Sequence, residues 1–264
     1  VREAGRPAGL PRRPMTPDDS TEVATNDRDH ARGPDRQPGW SCLAVEVAEI
    51  PLPELRHRLA APDELVVIDV KAAGVSFPEV LQTRGRYHYQ PELPFVPGCE
   101  VAGLVRSAPT GSGFQAGDRV AAYADLGAWA EVAVAPSWIT VPLPDRLDFA
   151  QGASLLLNYH TAYFAMVVRG RMQRGETMLV QGAAGGVGTA ALQIARGLGI
   201  RTVAVVSTEE KAAVAWEAGA DQVVLANDDW KGAAQTLGGV DAVLDPVGGD
   251  RILDSLRCFA TAAG

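Results

Sequence analysis

Cysteine and histidine are both scarce in this 264-residue chain. There are three cysteines, Cys42, Cys99 and Cys258, and four histidines, His30, His57, His88 and His160. Three widely spaced thiols give no disulfide framework and no CxxC pair, so reduced thiols of a cytoplasmic protein are the simpler reading. A catalytic zinc needs about three convergent protein ligands. With no HxH or HExxH pair, and Cys99-Glu100 the one adjacent thiol–carboxylate pair, no metal is expected. No apolar run reaches the roughly 18 residues of a membrane span, and the proline-rich, polar start lacks the apolar block of a secretion signal. Positive charge is in deficit too: 24 Lys and Arg stand against 32 Asp and Glu, for a net charge of −8. That balance offers no general attraction to nucleic acid or anionic lipid.

What is abundant is apolar residue, 47%, together with 28 glycines. A real core is therefore available, for one large domain or two ordinary ones. Residues 1–38 are the exception. They hold seven Arg, seven Asp or Glu and six Pro, with almost no large apolar side chain, and are expected to form a disordered leader. Short strands and turns dominate from 41 to 145, as in LAVEVAEI (43–50), ELVVIDVKAAGV (64–75), CEVAGLVRSA (99–108) and the GSGFQAGDRVAAY hairpin (111–123), continued by 127–134. This pattern predicts a compact β-barrel-like domain over 39–150, with the glycine of CEVAGLV permitting close backbone approach.

The period then changes. One or two helices are expected over 148–170, followed by strands at 176–182, 201–207, 221–226 and 240–248 and helices at 187–199, 209–219, 229–238 and 250–260. Such alternation predicts an α/β domain over 151–264 with a parallel sheet and right-handed crossovers. It supplies four strands, whereas a full dinucleotide fold uses six. The domain is therefore expected to be C-terminally incomplete, with an uncovered sheet edge.

The sharpest local signal is Gly182-Ala-Ala-Gly185-Gly186-Val187-Gly188, which follows a strand and opens an amphipathic helix. A dinucleotide site requires that context. Gly182 would let the chain leave the strand tightly. Gly185 and Gly186 would clear space where a pyrophosphate approaches backbone N–H groups, and Gly188 would allow close helix–sheet packing. The N–H groups at the start of the helix, that of Val187 among them, then favour the anion.

The tip of the second strand selects the cofactor. NAD sites usually place a carboxylate there; this strand ends Val205-Val206-Ser207-Thr208. Ser207 and Lys211 are candidates to hold a 2′-phosphate, a charge pair being worth roughly 1 kcal/mol in water and about 4 kcal/mol in a surface cleft. NADPH is expected over NADH. Alternatively, or in addition, Ser207 caps the helix with Glu210 completing an S-x-x-E box, and Lys211 is merely solvated. Glu209 and Glu210 must point away from any phosphate.

Hydride transfer needs positioning, water exclusion and a donor for the developing oxygen anion. Candidate donors cluster at Ser76–Tyr89 and at Asn158–Thr161. A cleft between the domains would bring the two clusters together. Tyr87 is the candidate donor to a substrate oxygen, unless Tyr87, His88 and Tyr89 form an ordinary loop cluster.

Taken together, AGVSFPEVLQTRGRYH (73–88), LPFVPGCEVAGLV (93–105), AGDRV (116–120), LLNYHTAYFAM (156–166), VQGAAGGVGTAALQIARGLG (180–199), VVSTEEK (205–211), AGAD (218–221) and LDPVGG (244–249) resemble the zinc-free quinone oxidoreductase branch of the medium-chain dehydrogenase/reductase superfamily, the group of zeta-crystallin. The resemblance implies a GroES-like substrate domain, a Rossmann domain, and NADPH-dependent reduction of a quinone or electron-poor alkene (enone) without metal. It implies a homodimer in the intact family fold. Gly182, Gly185, Gly186, Val187 and Gly188 would serve the pyrophosphate, and Ser207 and Lys211 the 2′-phosphate. Thr161 would lie near the nicotinamide half of the cofactor, and Asp245 and Pro246 beside it. Asn158 would line the adjoining catalytic pocket with Ser76 and Tyr87. The zinc-ligand positions of the alcohol dehydrogenase cousins correspond to Ser76, Cys99 and Leu157, and leucine cannot bind zinc.

Ser76 stands where many quinone reductases have asparagine, and Asn227 lies near a position that is often tyrosine, leaving Lys211 more of the phosphate task. The family continues past the point where this chain stops, so the 264-residue polypeptide alone is expected to be poorly stable and weakly active. Two other functions stay open: an enoyl-thioester reductase, and a truncated, non-catalytic NADPH-binding or structural protein.

Overall fold

The computed structural model describes residues 20–27, 44–51 and 56–260. Its contacts divide the chain into two compact units, Val1–Leu157 and Asn158–Gly264. The division falls seven residues beyond the expected boundary at 150, for a packing reason. The short helix α2 (Phe149–Gly152) and the residues after it seat Ala153 and Leu156 against Ala102, Ala121 and Leu143 of the first unit.

Within the stretch expected to be disordered, β1 (Ser20–Asp27) pairs antiparallel with β2 (Ala44–Pro51) over eight residues. The expectation of a wholly unstructured 1–38 is corrected there. Composition reports the side chains available for burial, whereas this pairing is made by backbone groups of two segments well separated in the chain. The rest of that leader lies outside the described residues.

In the first unit five strands form one antiparallel sheet: β3 (Leu65–Ala73), β4 (Glu100–Ser107), β5 (Arg119–Tyr123), β6 (Val132–Pro136) and β7 (Thr140–Pro142), in the order β6-β3-β4-β5-β7. The strands β6 and β7 lie at opposite edges, yet a three-residue turn, Ser137–Ile139, joins them. Three residues reach only about 10 Å, so the sheet must curl until its edges meet, which gives the expected barrel-like form. Curling is helped by register shifts between β3 and β4 at Val67/Ile68 and Val70/Ala72. Gly103 makes the close approach that its sequence context predicted, since a Cβ there would lie 2.1 Å from the Asp69 carbonyl oxygen. The expected strand at 127–134 begins only at Val132. Ala124–Trp129 is instead turned back by hydrogen bonds to Val96, Pro97, Gly98 and Cys99.

The second unit opens within α3 (Leu156–Tyr163), at Asn158, and the helix runs on into a π-helical turn, Phe164–Arg169. Four parallel strands follow: β8 (Thr177–Gln181), β9 (Arg201–Val206), β10 (Gln222–Leu225) and β11 (Ala242–Leu244), ordered β10-β9-β8-β11. Every residue of β8 is buried, as a central parallel strand covered on both faces requires. The helix α4 (Gly186–Leu198) buries Gly188, Ala191, Leu192 and Ala195 at helical spacing against this sheet. The helices α5 (Glu209–Ala218) and α6 (Trp230–Thr236) complete the alternation. The helix expected over 250–260 is shorter: a 3₁₀ turn, Gly249–Arg251, leads into α7 (Ile252–Leu256). Phe259 then bridges Val240. The chain runs outward from β8 through β9 to β10 and then crosses back to β11. The gap between β8 and β11 is thus the point where strand order reverses, the place at which open α/β sheets bind ligands.

Candidate functional site

The glycine turn leaves β8 at this reversal. Gly182 has a φ of +60°, and a Cβ there would press on Val247 after β11, 2.9 Å away. The turn is closed by the Gly185 N–H donating to the Gly182 carbonyl at 2.9 Å. The first α-helical bond of α4 is that of the Thr189 N–H to the Gly185 carbonyl. The N–H groups of Gly186, Val187 and Gly188 therefore stand at the open helix end, where an anion is favoured.

The four glycines differ in what excludes a side chain. At Gly185 a Cβ would meet only the Gly182 oxygen, at 3.3 Å, so the space beside it is open. At Gly188 it would lie 2.6 Å from backbone atoms of Ala183 and Gly182, the close helix–strand packing read from the sequence. At Gly186 the obstacle is the Asn158 carboxamide, with Oδ1 2.7 Å and Nδ2 2.8 Å from the added carbon. Thr161 is exposed one helical turn beyond Asn158 on α3.

At the tip of β9, the residue that caps α5 is Thr208, whose hydroxyl oxygen accepts the Lys211 N–H; Ser207 is not the cap. Thr208 also hydrogen-bonds Glu210 and holds that carboxyl below its ordinary value. Ser207 is thereby left to the Lys211 ammonium, which donates to its Oγ at 3.0 Å. The pair forms a small cationic, hydroxylated patch, with Glu210 engaged at the cap.

On the other side of the reversal, Asp245 folds its own loop. Its Oδ1 accepts the N–H groups of Val247 and Gly248 at 3.0 and 2.8 Å. Its Oδ2 is buried with no hydrogen-bond partner among the described residues. A buried carboxylate oxygen without a donor is costly, so this atom suits a ligand hydroxyl. Pro246 is exposed beside it.

In the first unit, α1 (Phe77–Thr83) starts at Ser76. The carboxylate of Glu79, itself 1% exposed, accepts the Ser76 N–H at 2.8 Å, the Ser76 hydroxyl at 2.5 Å and the Cys99 N–H at 2.9 Å. The proton of Ser76 is thus committed inward, and toward any ligand its oxygen acts as an acceptor. Burial, with the nearby Cys99, Glu79 and Asp125, raises the Tyr87 phenol, which stays a protonated donor. The Tyr87–Tyr89 segment is also a packed loop: the Tyr87 and His88 rings lie 4.2 Å apart, and Arg58 stacks 4.3 Å over Tyr89 while gripping Asp125 with two hydrogen bonds. These contacts are those of an ordinary loop cluster.

Glu100 is a buried carboxylate whose role the sequence did not disclose. Its Oε2 accepts the Leu157 N–H at 2.9 Å, and its side chain fills the space that Gly74 leaves by lacking a Cβ. Burial raises its pKa to about 7, against the pull of the Leu157 and Leu156 N–H groups. Burial, with Glu79 beside it, also pushes the Cys99 thiol far up, so it stays protonated. Among the described residues no group of three or more His, Cys, Asp or Glu is placed to hold a metal ion. A cavity of about 400 Å³ between Phe114, Arg119 and Asp145 contains none of the expected site residues.

Comparison with known proteins agrees with this geometry. Residues 62–145 match the alcohol dehydrogenase GroES-like domain family, and residues 186–264 match the zinc-binding dehydrogenase family. Human quinone oxidoreductase is 40% identical over 188 residues, which cover 68% of this chain and 57% of that protein. The chain thus spans little more than half the length of that relative. A probable oxidoreductase from Mycobacterium abscessus superposes with a TM-score of 0.75 at 40% identity, covering 92% of this chain and 73% of that one. The quinone oxidoreductase of Thermus thermophilus, solved alone and in complex with NADPH, superposes with a TM-score of 0.74 at 32% identity, over 90% and 70% of the two chains. With a GroES-like β unit, a strand order that reverses beside a glycine turn, and relatives of this identity and extent, the chain belongs to the quinone oxidoreductase branch of the medium-chain dehydrogenase/reductase superfamily.

Proposed function

We propose that the protein is an NADPH-dependent oxidoreductase acting on a quinone or an electron-poor alkene, without a metal. One observation carries the cofactor reading: at the end of β8 the structure combines an open N-terminal helix turn beside Gly185 with the Lys211–Ser207 pair at the tip of β9. The residues fit NADPH. The N–H groups of Gly186, Val187 and Gly188 would hold the diphosphate, Lys211 and Ser207 the 2′-phosphate, and the unpartnered Oδ2 of Asp245 a ribose hydroxyl. NADPH, when bound, supplies the hydride.

The remaining chemistry belongs to the chain's own side chains. An oxygen that gains negative charge during reduction is stabilised by a hydrogen-bond donor placed for it. Tyr87, held protonated, is the donor proposed for that task. Ser76 is proposed as an acceptor, because its own hydroxyl hydrogen is donated to the Glu79 carboxylate. The activity named for the human and Thermus relatives favours a quinone as acceptor, and the intact protein is proposed to be a homodimer, as the family resemblance implies.

Measuring NADPH oxidation with a simple quinone, an alkenal and an enoyl thioester tests the reading. Turnover with quinone or alkenal is expected. Turnover confined to the thioester would move the assignment to an enoyl-thioester reductase, and saturable NADPH binding with no turnover of any acceptor would leave a binding protein.

A further inference from the structure

The Asn158 carboxamide is a polar group at the glycine turn that neither the fold nor a helix cap employs. It is half-buried, on the first turn of α3, and makes no hydrogen bond among the described residues. Two neighbouring polar side chains are engaged: Thr189 bonds the Gly185 and Gly186 carbonyls, and Tyr159 bonds Gln193. An amide with two donors and an acceptor held against a helix start, and given nothing to bond, forgoes hydrogen bonds that water or a ligand must supply.

Its position is specific. All three atoms nearest to a Cβ at Gly186 are the Oδ1, Nδ2 and Cγ of Asn158, at 2.7–2.9 Å. At Gly185, by contrast, nothing but the Gly182 oxygen comes within 4 Å. The two adjacent glycines therefore do different things. Gly185 leaves room open, and Gly186 leaves room that a side chain from α3 already fills. The carboxamide lies beside the same helix start whose Gly186, Val187 and Gly188 N–H groups have no intrahelical acceptor.

We propose that Asn158 is a cofactor-binding residue, its Nδ2 donating to the diphosphate held at the start of α4, and that Gly186 lacks a side chain to admit this carboxamide and not to admit the phosphate. Asn158 then belongs with the diphosphate cradle and not with the catalytic pocket in which the family resemblance put it. The inference rests on the dinucleotide reading of the glycine turn.

The test is a double-mutant cycle read by equilibrium titration with NADPH, with the thermal midpoint of each cofactor-free variant measured alongside. Asn158→Ala is expected to weaken NADPH binding about 10–100-fold, the worth of one hydrogen bond to a charged group. Gly186→Ala is expected to weaken it by a similar factor, by displacing the carboxamide. The double variant should bind no worse than Asn158→Ala alone, because the displaced group is already gone. Asn158→Asp keeps the shape and adds a charge; its loss should exceed that of the alanine variant and grow as salt is lowered.

Multiplying losses in the double variant, or equal and salt-independent losses for the Ala and Asp variants, would overturn the proposal, since both are what a packing role predicts. The dinucleotide reading is judged separately by Gly185→Val. If that change leaves NADPH binding intact, the reading itself fails. If it abolishes binding while Asn158→Ala is neutral, the present inference alone fails.

Discussion

Single residues at the turn of β8 separate packing from binding. Gly188→Ala puts a methyl group 2.6 Å from backbone that cannot step aside. Destabilisation of about 1–3 kcal/mol is expected from such overpacking, and a denaturant melt of the cofactor-free protein measures it. Gly185→Ala meets only one oxygen at 3.3 Å, so its melt should move far less while NADPH affinity falls. Lys211→Ala removes the cation that reaches Ser207. The preference for NADPH over NADH should fall about tenfold or more, with NADH binding almost unchanged; parallel titrations of the two cofactors decide it. The Ser76–Glu79 box has an S-x-x-E pattern next to a proline that the sequence reading passed over, and its consequence, a hydroxyl unable to donate outward, needs the distance to the carboxylate. The Asn158–Gly186 contact had no sequence signal, since the two positions are far apart in the chain and meet only once α3 and α4 are packed.

At the scale of elements, helix starts carry most of the polar chemistry. The helix α5 is capped by Thr208, one residue later than the Ser207 cap read from the sequence, and this shift frees Ser207 for Lys211. Thr208→Ala should cost about 0.5–1 kcal/mol of stability, measured by thermal melting. Glu100 sets a pH dependence. Burial lifts its folded pKa from 4.5 to about 7. An acid whose pKa is higher folded than unfolded contributes stability that is complete below pH 4.5 and is lost as pH rises through 7. Glu100→Gln, fixed in the neutral form, should therefore gain on the parent protein between about pH 5 and 8, by at most on the order of 3 kcal/mol. Melting both proteins across that range checks the sign; a difference that is flat or shrinks toward the alkaline end would refute it.

For the molecule as a whole, a net charge of −8 means that an anionic cofactor is held against the general field by local groups. Binding of NADPH at a hundredfold excess over its dissociation constant should stabilise the protein by about 2.7 kcal/mol, visible as a rise in thermal midpoint. Raising ionic strength from about 0.05 to 0.5 M should weaken NADPH more than NADH, because screening acts on the extra phosphate and Lys211. Among the described residues no helix is long and apolar enough to cross a membrane. The two-unit architecture was legible because its periodicities differ: turn-punctuated strands in one half, and helices alternating with apolar strands in the other. The division after Leu157 was not, since it depends on Ala153 and Leu156 packing back onto the barrel.

The sequence by itself determined what is local. Strand, glycine turn and helix follow one another from Thr177 to Leu198 because backbone freedom, side-chain bulk and hydrophobic period are properties of neighbouring residues. The lack of a carboxylate at the tip of β9 was visible there too, and with it the expectation of NADPH. Tertiary structure alone decided which glycine faces open space and which faces Asn158, that the Ser76 hydroxyl donates to Glu79, and that an oxygen of Asp245 is left without a donor. Those outcomes depend on distances between atoms on different elements, and a linear pattern carries no information about a distance until the elements have packed.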